Sequence, residues 1–357
     1  MSDSEYDVVV VGGGPAGLTA ALYTTRLGLD TALVDRGGGR AAMMQDTHNV
    51  IGVTEETGGV EFLETAKEQV ESYGADVHRD FVEGVERVDD GSFRIDGSDA
   101  EYGADQVVLA TGFSDVRPDP PLPPTGRGLH YCLHCDAYMF VDEPVYVMGT
   151  GDSAAYVAMI MLNFTDDVDV LTRGDEPEWS ADTAEMVDNH PVDVVEAEIT
   201  ASNRDDGGWL ESFEFDDGTV REYRGGFPML GSEYNTDLHE SLGCELTDDG
   251  TVEVDDHGRT SVDGVYAVGD VTPGHNQIPV AMGQGAKAGI AIHMDARPFP
   301  RSTEAIDELG PVSSGDVPAV SQELLATAVA HEGHAAGPRI EAAEEPESGD
   351  EQPADDD

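Results

Sequence analysis

The chain has 357 residues, with 74 acidic against 18 basic side chains, a formal net charge of −56 and only two lysines, Lys67 and Lys287. That length supports two domains with cores of their own, and nothing in it resembles the basic patch that nucleic-acid binding requires. So acidic and lysine-poor a surface suits a protein kept hydrated in molar salt, where the Debye length falls to roughly 3 Å and self-repulsion is screened. The expected setting is a halophile's cytoplasm. The start, Met1-Ser2-Asp3-Ser4-Glu5, carries no basic leader before an apolar core, and no apolar run approaches the roughly 18–20 residues of a membrane helix. A soluble intracellular protein without membrane contact is expected, and three cysteines in a reducing compartment point to catalytic use.

The first predicted element is a strand over residues 6–11, whose unbroken apolar run reads as part of a parallel sheet buried on both faces. It breaks into Gly12-Gly13-Gly14-Pro15-Ala16-Gly17 and then into Ala/Leu-rich helical sequence. Gly12 makes the tight turn, Gly14 lets backbone approach a pyrophosphate, and Gly17 lets the helix pack on the strand, so the helix N-terminus faces the phosphates. Residues 29–34 read as the second strand, ending in Asp35, 23 positions after Gly12, where a carboxylate accepts hydrogen bonds from a ribose diol. Strand, glycines, helix and acid together mark a dinucleotide site.

Further along, Gln106-Val107-Val108-Leu109 reads as a strand leading into Ala110-Thr111-Gly112. Arg117-Pro118-Asp119-Pro120-Pro121-Leu122-Pro123-Pro124 reads as an extended linker, because proline blocks helix and sheet bonding. Next comes Cys132-Leu133-His134-Cys135-Asp136. Two cysteines three positions apart close a small-ring disulfide when the backbone turns helically, and such a bond is poised for exchange. A helix N-terminus stabilises an anion by roughly 0.3–1 kcal/mol and His134 adds to it, so the exposed thiol is expected to be a better thiolate than free cysteine. Asp136 is placed to shuttle the proton that thiolate chemistry requires. The same CxxC with nearby histidines also suits half of a zinc site, although a closed site wants four ligands. The one further cysteine, Cys244, sits in an apolar context and reads as a buried small hydrophobe.

A second strand, glycine turn and helix follow at 144–155, with Gly149-Thr150-Gly151-Asp152-Ser153-Ala154 as the cradle and Ala154 in the third small position. Counting 23 residues from Gly149 reaches Thr172, where no carboxylate clamps a diol. Arg173 could instead meet a 2′-phosphate in bidentate fashion, while Asp175, Glu176 and Glu178 would repel it. This half keeps the fold of a nicotinamide site, and NADPH or NADH binding there stays open. Two dinucleotide cradles with a vicinal thiol pair between them can pass an electron pair between a flavin, a nicotinamide and a disulfide.

These markers, with the late run Thr260-Ser261-Val262-Asp263-Gly264-Val265-Tyr266-Ala267-Val268-Gly269-Asp270, make an ordered set. Over about residues 5–297 the chain resembles the low-molecular-weight thioredoxin reductases and their flavin disulfide-reductase relatives. The resemblance implies FAD in the first cradle, Gly269 and Asp270 at the ribityl or phosphate portion, and Asn276, Gln277 and Ile278 near the isoalloxazine. It lays Arg36, Gly39, Arg40 and Asn49 along the FAD. It implies that Cys135 faces the flavin, that Cys132 attacks the substrate disulfide and that Asp136 is the acid/base. It also implies a thioredoxin-like protein or a small disulfide as partner, and a homodimer. Two departures stand out: the basic cluster of the family's NADPH users shrinks to Arg173, and residues 35–52 look closer to relatives that oxidise dithiols with oxygen or draw on another donor such as ferredoxin. A dithiol oxidase and a flavin- or zinc-binding redox sensor without turnover are the rival readings.

The expected class is α/β, with two Rossmann-like, doubly wound, three-layer dinucleotide-binding domains, the second inserted in the first. Residues 1–117 and 231–300 form the FAD-binding domain, and 118–230 the NAD(P)-type domain carrying the CxxC. A second crossing falls near 224–231. Residues 301–340 form an extension with an amphipathic helix around 320–330. The tail 341–357 has nine acids in 17 positions and is expected to be disordered, since it cannot bury enough surface to offset its ordering entropy.

Overall fold

The structure is a computed structural model and describes residues 6–119, 122, 125–318 and 321–331. The expected acidic tail, four prolines of the 117–124 linker and the first residue of the expected 320–330 helix lie outside them. The chain divides into a body ending at Arg297 and a separate unit from Pro298 onward.

In the body, β1 (Tyr6–Val11) turns into α1 (Pro15–Arg26) and returns as β2 (Thr31–Val34), and α2 (Gly59–Ser72) leads to β3 (Asp76–His78). An antiparallel meander follows, β4 (Val82–Arg87), β5 (Phe93–Gly97) and β6 (Glu101–Leu109). The sheet order is β3-β2-β1-β6-β5-β4, with β3, β2, β1 and β6 parallel. β6 changes partner along its length: residues 101–104 pair antiparallel with β5, while 107–109 pair in parallel with residues 265–267.

After a short crossing strand, β7 (Phe113–Asp115), the chain passes through the single-turn helix α3 (Leu133–Asp136) into a second unit. There β8 (Val145–Met148), α4 (Asp152–Met161), β9 (Val168–Leu171), α5 (Ala181–Asp188) and β10 (Asp193–Val195) repeat the earlier alternation. β11 (Ile199–Arg204), β12 (Leu210–Phe215) and β13 (Val220–Glu222) form an antiparallel sheet, and β14 (Gly225–Pro228) completes a parallel one of order β10-β9-β8-β14. The chain crosses back through β15 (Ser232–Tyr234), which pairs antiparallel with β7. α6 (Asp237–Leu242), β16 (Val265–Ala267) and α7 (Ile278–Ala296) then close the first sheet and cover it.

The period-two alternation of each central strand decides the layers. Val8 and Val10 of β1 pack with α1, α2 and α7, whereas Val9 and Val11 pack with Phe93, Ile95 and Tyr102 of the meander. Val145 and Val147 of β8 likewise pack with α4, whereas Tyr146 and Met148 pack with Leu210, Phe213 and Phe215. Each unit is three layers deep, but its second face carries antiparallel strands where double winding would place helices. Phe93 and Ile95 of β5, and Leu210, Phe213 and Phe215 of β12, supply an apolar face laid on the parallel strands.

The C-terminal unit contains α8 (Thr303–Leu309) and α9 (Gln322–Ala330), capped by Ser302 and Ser321, whose hydroxyls accept the Ala305 and Leu324 amides. Among the described residues no helix is long and apolar enough to cross a membrane.

Candidate redox site

The first cradle is built by what its glycines lack. Gly12 has φ +107°, and a Cβ there would lie 2.4 Å from the Ala110 carbonyl oxygen. A Cβ on Gly17 would lie 2.0 Å from the Gly12 carbonyl oxygen, so α1 rests directly on the strand end. Gly14 is different: its missing side chain would meet no protein atom within 4 Å. With Pro15, Ala16 and Gly17 in its first turn and no side-chain cap, α1 presents its free amides to an anion in that open space.

Asp35 stands beside the turn, accepting the Gly13 N–H at 3.0 Å and the Lys67 ammonium at 2.8 Å. Burial alone would raise its carboxyl, but Lys67 and the Gly13 amide outweigh it and hold the group below the usual carboxylate range. Arg36 lies over the Phe81 ring at 5.9 Å, and Gly39 opens onto empty space. Thr111 and Asn235 clasp each other where the two crossings meet, the Thr111 hydroxyl donating to the Asn235 carbonyl at 2.7 Å and the Asn235 amide to the Thr111 carbonyl at 2.9 Å. The Gly112 carbonyl accepts the Asn235 N–H at 3.0 Å.

Gly269 packs on Ala16 and donates its N–H to Gln284 Oε1 at 2.9 Å. The next residue, Asp270, is pushed upward by burial, opposed by Arg40, whose guanidinium is 3.9 Å away. Arg40 is shared: it forks onto Asp115 of β7 at 2.8 and 3.2 Å and lies 4.4 Å over the Phe113 ring.

Cys132 and Cys135 form a disulfide with Cα atoms 5.3 Å apart, and the Cys135 N–H donates to Cys132 Sγ at 3.2 Å. Gln277, the N-cap of α7, reaches this pair from the far end of the chain. Its Nε2 lies 3.4 Å from Cys132 Sγ and 3.8 Å from Cys135 Sγ, while Asn49 Nδ2 donates to its Oε1 at 2.9 Å. The structure thus joins Asn49, Gln277 and both cysteines, with Ile278 opening the helix behind them. Asp136 closes α3, its Oδ2 2.9 Å from Nδ1 of the buried His130. His134 is exposed.

Sequence reasoning missed three contributors: His130, Lys67 and Asn235. Their partners lie 6, 32 and 124 positions away, separations that no helical or strand period singles out. Cys244 is buried in the core beside Thr260, and burial raises its thiol pKa.

In the second cradle Gly149 has φ +145°, with the Met229 carbonyl oxygen 2.8 Å from a Cβ there. Gly151 faces open space, and α4 begins without a side-chain cap, with Asp152, Ser153 and Ala154 in its first turn. The Asp152 carboxylate accepts the Ser180 N–H at 2.8 Å, which lowers its pKa. Arg173 adopts φ +59°, and its guanidinium donates to the Asp119 carbonyl and approaches the Met148 sulfur at 4.0 Å. Asp175, Glu176 and Glu178 are exposed beside it.

The first cradle fits a flavin dinucleotide. Gly14 leaves room at an uncapped helix, Asp35 supplies a diol acceptor, and the redox disulfide stands at Gln277 beyond Asp270. Gly12, Gly14, Pro15, Ala16, Gly17, Asp35, Gly112, Gly269 and Asp270 could hold such a group.

The sequence profile of the family described as "Pyridine nucleotide-disulphide oxidoreductase" matches residues 6–285. The thioredoxin reductase of Peptoclostridium acidaminophilum is 32% identical over 304 residues, covering 80% of this chain and 95% of its own. The thioredoxin reductase of Bacillus subtilis is 30% identical over 305 residues, covering 82% and 95%. The crystal structure of thioredoxin reductase from Streptococcus pyogenes superposes with a TM-score of 0.75 at 29% identity, covering 83% of this chain and all of that one. The chain belongs to the pyridine nucleotide-disulphide oxidoreductase family and is an FAD-dependent thiol–disulfide oxidoreductase.

Proposed function

We propose that this protein is a reductase for the disulfide of a thioredoxin-type protein, working as a homodimer in the cytoplasm. Residues 1–117 and 231–300 form its FAD-binding domain, and 118–230 an inserted nicotinamide-type domain that carries the redox pair. The relatives named thioredoxin reductase support the partner. So does the exposure of apolar side chains in the segment that follows the CxxC, Tyr138 at 83% with Met139 and Val141 also exposed.

Bound FAD supplies the two-electron carrier between a nicotinamide and the disulfide. The rest is the work of this chain. The Cys132 thiolate attacks one sulfur of the partner's disulfide, forming a mixed disulfide and expelling a thiolate that takes its proton from Asp136. The Cys135 thiolate then attacks Cys132 Sγ, restoring the Cys132–Cys135 bond and releasing the second partner sulfur as a thiolate that takes a proton from water, so the partner gains the electron pair that the dithiol loses. A disulfide set against a bound flavin would be hidden from a protein substrate, so the inserted domain turns about the paired crossings β7 and β15 between two positions.

The contact of Gln277 with both sulfurs carries this reading, because it sets the redox pair among the residues of the first cradle. On the donor side, acidic residues surround an already engaged Arg173, which favours NADH over a nucleotide carrying a 2′-phosphate. Anaerobic titration in molar salt with NADH, NADPH and a reduced thioredoxin-type protein tests the reading. Bleaching of the flavin by NADH supports it, and bleaching by dithiols alone would make the protein a thiol oxidase.

A further inference from the structure

His130 is only 3% exposed, yet no step above uses it. Its backbone N–H donates to the Gly226 carbonyl of β14 at 2.9 Å, so the residue is tied to the parallel sheet rather than to the CxxC turn. Three aromatic rings box the imidazole: Phe140 edge-on at 5.1 Å between centroids, Phe227 at 6.3 Å and Trp209 at 6.5 Å. The charged groups around that box are Asp136 on α3 and, across Trp209, Arg224, 4.3 Å over the ring and 4.0 Å from Asp205. Nδ1 meets Asp136 Oδ2 at 2.9 Å, and Nε2 has no hydrogen-bond partner among the described residues.

A ring whose Nε2 has nowhere to donate is accommodated with its proton on Nδ1, facing the carboxylate acceptor. Held by the sheet and by three rings, it cannot follow the carboxyl if that group swings. We propose that His130 is the positioning residue of the proton donor: its Nδ1–H holds Asp136 Oδ2 and so fixes the carboxyl in one orientation, leaving Oδ1 to carry the proton to the leaving thiolate. His130 keeps its own proton throughout. Asp136, with its side chain 27% exposed, regains its proton from water after each turnover. This rests on the reading of Asp136 as the proton donor.

The test uses holoenzyme, pre-reduced and mixed with an oxidised thioredoxin-type protein, with reduction of the flavin by NADH followed separately. His130→Phe keeps the ring volume and removes Nδ1, whereas His130→Asn keeps an amide donor near that atom. Thiol release by the Phe variant should slow about tenfold, part of the roughly hundredfold or more that acid–base catalysis contributes. Reduction by NADH should be unchanged, and the Asn variant should recover most of the rate. Should the Phe variant fail to fold, His130→Gln, whose amide falls nearer the Nε2 position, takes its place. In an Asp136→Asn background the loss of His130 should cost nothing further.

Equal slowing of the Phe and Asn variants would reduce His130 to a packing residue and overturn the proposal, as would a wild-type rate in His130→Phe. A cost that persists in the Asp136→Asn background would overturn it too. Full activity of Asp136→Asn alone would instead remove the reading of Asp136 on which it rests.

Discussion

Gln277 points its amide nitrogen at Cys132 Sγ across 3.4 Å, and Asn49 holds it there through its Oε1. An N–H aimed at sulfur stabilises a thiolate more than a disulfide, so it favours the reduced state of the couple. A hydrogen bond to a charged group contributes about 1.5 kcal/mol at the low end, which is about 30 mV for a two-electron couple. Gln277→Leu should therefore make the disulfide potential about 30 mV more negative, and Asn49→Ala should give part of that shift. Equilibration in graded dithiol/disulfide buffers with thiol counting measures it. An unchanged potential would show that the contact is only steric.

Gly14 and Gly17 make a paired test of the cradle. A Cβ at Gly14 enters open space at an extended backbone position, φ −76°, so Gly14→Ala should fold normally but lose FAD, appearing pale after gel filtration. A Cβ at Gly17 runs into the Gly12 carbonyl, so Gly17→Ala should lower stability by about 2–3 kcal/mol, in the range of overpacking a core. Denaturant melts and flavin absorbance separate the two outcomes.

Buried His239 on α6 is fully enclosed, its ring facing the Leu109 and Thr236 backbone. Burial pushes its pKa down from 6.5 to about 4. The unfolded chain therefore binds a proton first as the pH falls, so the stability due to the neutral ring is present above about pH 6.5 and is lost progressively towards about pH 4. The full loss is on the order of 3 kcal/mol. In His239→Leu the difference in unfolding free energy between pH 7 and pH 5 should shrink by about half of that or more. An identical pH slope in both proteins would contradict the assignment.

The net charge of −56 predicts salt dependence of a particular sign. At 0.1 M salt the Debye length is about 10 Å and the carboxylates repel one another, whereas at 1 M it is about 3 Å. The midpoint of thermal unfolding should rise with KCl throughout this range. A flat or falling midpoint would show that the acidic surface carries no such penalty.

Much of the site was legible because its demands are local. The turn at Gly12, the approach at Gly14 and the contact at Gly17 each require a missing Cβ at a fixed offset from a strand, and the CxxC spacing is itself a ring size. The parallel strands were legible for a similar reason, since Val8 through Val11 are apolar on both faces. The antiparallel cover of β11–β13 escaped because Leu210, Phe213 and Phe215 become a face only when laid on Tyr146 and Met148. The Gln277–Cys132 contact spans 145 positions and depends on how the inserted unit is seated, which no spacing encodes. His130 was hidden for the opposite reason: it lies close to Asp136 in sequence, but only the fold turns its ring toward that carboxylate.

The activity of the molecule turns on an electron pair passing between the FAD and the Cys132–Cys135 disulfide. Anaerobic reductive titration of the holoenzyme, compared with Cys135→Ser, tests this directly. The wild type should take up two electron pairs per flavin, one in the flavin and one in the disulfide, and the variant only one. Equal uptake by the two proteins, or a wild-type protein that binds no flavin even on reconstitution, would contradict it.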